Sequence, residues 1–284
     1  MLQHFVENPI ISHFHSETQP QLYYMGKILP EISTYPRILH SHPDHVEISI
    51  IYSGTSEYLI GNQRQLIEPG DVIVYNAGVV HDELSSAETQ IGSYFFAVGN
   101  LSLPHLPPNA LISSGVNPVF HIKQDFGTIQ TLCEAMLAHF EQKSVWSPRI
   151  VHYETMALLE IIWQVIHEEQ QMQIPHPQDH VGQRIVAYID EHYREPLTMK
   201  QLSEALHLSE SYISHVFREM IGCPPMQYIL RKKIGEAQTL LISTEDSISR
   251  IAQTVGFDSQ SHFNKRFRSY VGISPGQFRK NYKN

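Results

Sequence analysis

Cysteine is nearly absent: Cys133 and Cys223 are the only two in 284 residues. They lie far apart, in segments of different predicted structure, so a disulfide between them is not expected. Two reduced thiols in a reducing compartment is the simpler reading. Long apolar runs are missing as well. No stretch reaches the roughly 18 apolar residues that a membrane-spanning helix needs, so no membrane association is expected. The opening residues MLQHFVENPIISHFHS lack the basic segment and apolar core of a secretory signal, and the expectation is a cytoplasmic chain. Positive charge is the third scarcity. The 20 Lys and Arg face 29 Asp and Glu, a net charge of −9, which taken whole disfavours a polyanionic partner.

That total hides a division. From His180 onward 14 Lys and Arg oppose 10 Asp and Glu, a net of +4, while the 6 and 19 before it give −13. A basic tail on an acidic body fits a nucleic-acid-binding part joined to a part with another task. With 42% hydrophobic residues and a mean hydropathy of −0.24, the chain can bury two separate cores.

Between about residues 20 and 120 the pattern is one of short β-like runs separated by turns. Val46–Tyr52 is one such run, interrupted by Glu47 and Ser49; Asp71–Tyr75 is another. Gly61-Asn62 and Pro69-Gly70-Asp71 read as turns, so an antiparallel sandwich or barrel is predicted. From Asp125 to Gln171 the period becomes helical, with Ile129, Leu132, Cys133, Met136, Leu137 and Phe140 on one face. Ser147-Pro148 starts a second helix whose apolar stripe, Ile150 to Ile166, is broad enough to cover the barrel and also a partner. Residues 172–180 hold two prolines and no periodicity, and read as a linker.

The last hundred residues contain an imperfect repeat at an offset of fifty positions. In the first copy Thr198 caps a helix over Met199–Leu206, His207-Leu208 turn, and Ser209 caps a second helix with Ile213, Val216, Phe217 and Met220 inward. In the second, Ser247 caps a helix with Ile248, Ile251, Ala252 and Val255 inward. Gly256-Phe257 turn, and Asp258 or Ser259 caps a helix built on Phe263, Phe267 and Tyr270. Gly222-Cys-Pro-Pro225-Met-Gln227-Tyr228 ends one copy and Gly272-Ile-Ser-Pro275-Gly-Gln277-Phe278 the other. Helix, short turn, capped helix is the helix-turn-helix pattern, whose second helix enters a major groove. Ser211, Ser214, His215 and Arg218 face outward on the first such helix. Gln260, Ser261, His262, Asn264, Lys265, Arg266 and Arg268 do so on the second. Gln and Asn can pair with adenine, Lys with guanine and Ser with either. Arg231, Lys232 and Lys233, with Arg218 and Arg268, suit phosphate contacts.

The stretch SISRIAQTVGFDSQSHFNKRFRSYVGISPGQFRK closely resembles the signature of the AraC/XylS-type transcription regulators, and the resemblance extends over about residues 182–282. It implies two helix-turn-helix units joined by a long helix and set about one turn of double-stranded DNA apart. By position, the family's base-contacting sites fall on Ser211, Ser214 and His215, and on Gln260, Ser261, His262 and Lys265.

A second constellation lies at His40-x-His42, Glu47 and His81, with Gly54, Gly70 and Asn76-Ala77-Gly78 between. Residues two apart on a strand share a face, and three imidazoles with one carboxylate suit Zn, Fe, Mn or Ni. The spacing resembles both motifs of the cupin superfamily, small double-stranded β-helix barrels, and departs from it at Asn76 and Ser85. The resemblance leaves two uses open: a divalent metal held by all four residues, or a small effector bonded by the same skeleton. Tyr52, Tyr58, Tyr75 and Tyr94 are candidates to stack on an effector ring. His13, His15, His45, His105 and His121 have no comparable spacing.

The expectation is therefore a multidomain α+β chain. Residues 1–124 would form a cupin-like effector-sensing β-barrel, 125–171 a helical packing or dimerisation segment, 172–180 a linker, and 181–284 an all-α tandem helix-turn-helix domain. Its effector pocket would include His40, His42, Glu47, Tyr52, Tyr75 and His81, and the resemblance favours a sugar or related metabolite. The expected partners are double-stranded DNA, that effector and a second copy in a homodimer. The competing reading is a metal-dependent cupin enzyme with an appended DNA-binding tail; no clear second acid/base pair beside the four residues supports it.

Overall fold

The computed structural model describes residue 14 and residues 19–31, 37–61, 63–83, 89–113, 115–122, 124–170 and 180–282. Among the described residues nine strands come first: β1 (Gln21–Ile28), β2 (Arg37–His40), β3 (Val46–Ser53), β4 (Ser56–Ile60), β5 (Gln63–Ile67), β6 (Asp71–Tyr75), β7 (His81–Glu83), β8 (Gly92–Gly99) and β9 (Val119–His121). They form two antiparallel sheets, ordered β1-β8-β3-β6-β9 and β2-β7-β4-β5. Helices follow: α1 (Phe126–Gln142), α2 (Ser147–Gln170), α3 (His180–His192), α4 (Met199–Leu206), α5 (Glu210–Ile221), α6 (Pro225–Ser243), α7 (Ile248–Thr254), α8 (Gln260–Val271) and α9 (Pro275–Tyr282).

Three apolar layers organise the molecule, and the alternation along β3 shows how. Val46, Ile48 and Ile50 point to one face, where they meet Phe96, Phe120 and the buried sides of α1 and α2. Ile51 points between the sheets, among Tyr58, Ile60, Ile67, Ile73 and Tyr75. With both faces covered, the strand reads as a nearly continuous apolar run interrupted by the two inward polar residues Glu47 and Ser49. The third layer joins the four-stranded sheet to the C-terminal helices: Ile38, Leu39, Leu59 and Val80 share one cluster with Ile229, Ile234 and Phe217.

The linker predicted over 172–180 lies almost wholly outside the described residues. α2 buries Val151, Leu158, Leu159 and Ile162 against the five-stranded sheet, whereas Tyr153 and Ile150 on its broad stripe are exposed. Among the described residues no helix is long and apolar enough to cross a membrane.

Candidate functional site

The C-terminal repeat is built from local capping signals. Thr198 and Gln201 form a reciprocal capping box at the start of α4. Ser209, Ser247 and Ser259 each accept a hydrogen bond from the backbone N–H three residues on, at 3.3, 3.2 and 3.3 Å. α5 and α8 both stop at a glycine, Gly222 at φ 80° and Gly272 at φ 88°, a left-handed conformation that a side chain would strain. Ile213, Phe217 and Ile221 hold α5 to the core, and Phe263, Phe267 and Val271 hold α8 at the same positions fifty residues later.

What these helices leave exposed differs in charge. Ser211 and His215 stand in solvent on α5 and Ser214 is half-buried; Gln260, Ser261, His262 and Lys265 all stand in solvent on α8. Asn264, placed on the outer face by the repeat, is half-buried and its Oδ1 is enclosed. α5 carries Glu210, Glu219 and Arg218, a net of −1, with His215 Nε2 at 3.7 Å from Glu219. α8 carries Lys265, Arg266 and Arg268, a net of +3.

In the barrel, His40, His42, Glu47 and His81 are all buried, and their donor atoms lie within 4.8 Å of one another. β2 ends at His40, directly across the ladder from His81 on β7, and His42 sits in the loop beyond. His40 Nδ1 lies 3.1 Å from Ile38 O and His81 Nδ1 lies 3.0 Å from Val79 O. A carbonyl can only accept, so each Nδ1 carries a proton and Nε2 is the ring atom turned toward the centre. Glu47 offers Oε2 at 3.3 Å from His42 Nε2 and Oε1 at 3.8 Å from His81 Nε2. Burial raises the Glu47 carboxyl, but the two imidazoles outweigh it and hold the group well below the usual carboxylate range. Burial, only partly offset by Glu47, lowers His42 and favours its neutral, ligating form. Among the described residues, the enclosed Nε2 atoms of His42 and His81 lack an aligned hydrogen-bond partner. Neutral imidazole nitrogens turned toward a carboxylate fit a divalent cation, as three-His, one-carboxylate donor sets do.

Sequence spacing missed the shell around this centre. Tyr24 on β1 donates to Glu47 Oε2, and its hydroxyl lies 3.2 Å from His45 Nε2. His45 stacks on His42 with centroids 4.4 Å apart, and its Nδ1 meets Asp44 at 2.8 Å. On the other side Tyr75 stacks on His81 at 3.8 Å. Tyr52, by contrast, is not in the pocket. It stands five residues from Glu47 on one strand, an odd offset that turns it to the opposite face. There it donates to Ile28 O at 2.7 Å and packs on Tyr94, with Lys27 over both rings. Tyr58 is sealed between the sheets.

The helix-turn-helix domain model matches residues 202–281 and the cupin domain model residues 33–90. The melibiose operon regulatory protein of Escherichia coli (strain K12) is 27% identical over 257 residues, covering 83% of this chain and 81% of its own. The chain is an AraC-type transcription regulator with a cupin domain. The HTH-type transcriptional regulator YisR of Bacillus subtilis (strain 168) is 27% identical over 242 residues, covering 78% of this chain and 82% of its own. ToxT from Vibrio cholerae has 12% identity and a TM-score of 0.47, covering 93% and 99% of the two chains.

In this regulator the three consecutive cations expected to meet phosphate are turned inward instead. Arg231 pairs with Asp82 of β7, with side chains 11% and 0% exposed. Lys232 pairs with Asp190 of α3, and Lys233 donates to Gly256 O at 2.7 Å in the turn after α7. The sequence placed the three on α6 but could not show that α6 is covered on several sides. Arg218 and Arg268 remain exposed.

Proposed function

We propose that this AraC-type regulator places α5 and α8 in successive major grooves of its operator. Ser211, Ser214 and His215 would read one block of base edges, and Gln260, Ser261, His262 and Lys265 the other, with Arg218 and Arg268 on phosphates. The single observation that carries this reading is the duplicated, capped helix pair with the same buried positions and two polar outer faces. The +3 helix supplies most of the attraction for the backbone, and the −1 helix adds discrimination.

The centre formed by His40, His42, Glu47 and His81 is the effector site in this reading, taking a divalent cation or a small hydroxylated ligand such as a sugar beside Tyr75. A metal bound there would supply a fixed positive charge drawing its ligands together; His40 and His81 are already oriented for it through their Nδ1 bonds. The relative named for the melibiose operon supports a sugar as the class to try first. The protein acts as a homodimer, joined through the corner between α1 and α2, where Val145, Trp146 and Tyr153 stand exposed.

Selection from a randomised DNA pool at fixed salt tests the reading, run without addition, with Zn²⁺ and with candidate sugars. Two enriched blocks about one helical turn apart are expected. Sequence-independent, salt-sensitive retention under every condition would overturn it.

A further inference from the structure

The strands that supply two imidazoles to the centre are the strands that dock on α6. Leu39 precedes His40 on β2, and the backbone of Gly235 on α6 packs so closely against the Leu39 and Ile38 carbonyls that a Cβ would overlap them. Gln238 Oε1, one turn along α6, accepts the Ile38 N–H at 2.9 Å and is buried. On β7, Asp82 follows His81 and faces the other way, pairing with Arg231 and accepting the Leu59 N–H at 2.9 Å. β5 adds a contact to the first unit, with Arg64 Nε donating to Ile221 O at 3.3 Å at the end of α5.

α6 in turn is tied to the second unit. Lys233, two residues from Arg231, holds the carbonyl of Gly256 in the turn between α7 and α8. Consecutive cations thus bind three bodies to one helix: the barrel, α3 and the second helix-turn-helix turn. A one-residue step separates each imidazole from a seam contact, and closely packed elements shift between discrete arrangements instead of deforming smoothly.

We propose that the seam of β2 and β7 on α6 is a latch fixing the spacing of the two recognition helices, and that closing the His40–His42–Glu47–His81 centre resets it. The second half rests on the reading of that centre as the effector site; the first half does not. Such a ligand moves the equilibrium only by its differential affinity for the two arrangements.

Gly235→Ala and Arg231→Met open the seam from two sides, and the alanine favours helix, leaving α6 itself intact. Each full-length variant is compared with the parent chain for hydrogen exchange over residues 37–40 and 231–238, for Zn²⁺ affinity, and for affinity toward a selected operator with and without Zn²⁺. Zn²⁺ is expected to change operator affinity in the parent by about tenfold, within the usual range of allosteric coupling. Both variants should bind Zn²⁺ as the parent does, exchange faster at the seam, differ from it in Zn²⁺-free operator affinity by about tenfold, and lose the Zn²⁺ response. Folded variants that match the parent in Zn²⁺-free affinity and seam exchange would overturn the latch. If Arg231→Met fails to fold, Gly235→Ala decides alone. A parent chain that binds no Zn²⁺ would remove the metal from the effector reading, while the Zn²⁺-free comparison still decides the latch.

Discussion

Lys265 and Gln260 are exposed on α8, so their substitution reports on DNA more than on folding. Alanine at either position is expected to cost about 1–3 kcal/mol of operator affinity and to relax preference at one base position of the second block. Arg268→Ala should instead weaken all sequences alike and reduce the salt slope by about 1. Competition binding against single-base operator variants at several salt concentrations separates the two behaviours. In the barrel, His81→Ala is expected to abolish tight Zn²⁺ binding. Tyr24→Phe, which removes the hydroxyl's bond to Glu47 and its contact with His45 Nε2, should cost about tenfold, as the loss of a group that orients a ligand does. Equal Zn²⁺ affinity for Tyr24→Phe and the parent by calorimetry would show that the Tyr24 hydroxyl contributes nothing to the centre. Tyr24 and His45 were illegible in the sequence because a shell partner arrives from another strand, with no spacing rule to announce it. The expectation that Tyr52 lines the pocket fails, although its odd offset from Glu47 along the strand assigns it to the opposite face.

At the scale of elements, α4 runs from Met199 to Leu206, the bounds read directly from the sequence; Ser209 stands at its expected cap, and of Asp258 and Ser259 it is Ser259 that caps α8. Caps are local: the signal and the bond lie within four residues, so sequence can carry them. α6 is the opposite case. Its three cations look like any solvated basic run until the barrel and α3 are packed around them. Removing Asp190 would leave the Lys232 ammonium largely enclosed and unpaired. Asp190→Ala is expected to lower unfolding free energy by about 2–3 kcal/mol, at or below the low end for a broken buried pair because Asp190 keeps some contact with water. Urea denaturation checks this, and Asp190→Asn should recover part of the loss. A loss within about 0.5 kcal/mol would assign the pair to the surface class instead.

For the whole molecule, two cores and a basic tail on an acidic body were readable from composition and period, while the shared layer of Ile38, Leu39 and Ile229 was not. Apolar residues on a strand's outer face look alike whether they meet a neighbouring helix or a distant part of the chain. The same holds for Trp146, 63% exposed, and Tyr153, 66% exposed, at the α1–α2 corner. Replacing both with glutamate is expected to shift sedimentation from dimer to monomer without loss of secondary structure. A parent chain that sediments as a monomer at micromolar concentration would remove the homodimer from the proposed function.

Arg231, Lys232 and Lys233 spend their charge inside the protein, so the tail meets DNA with fewer ions to displace than its formal +4 and basic run imply. Each phosphate neutralised by a cation contributes about −0.9 to the slope of log affinity against log salt. Withholding three flattens that slope by about 2.7 relative to a tail that used them. Such a regulator would keep its grip as the surrounding salt concentration rises, and a change in ionic strength would disturb its target occupancy less than that of a regulator held by a fully exposed basic helix.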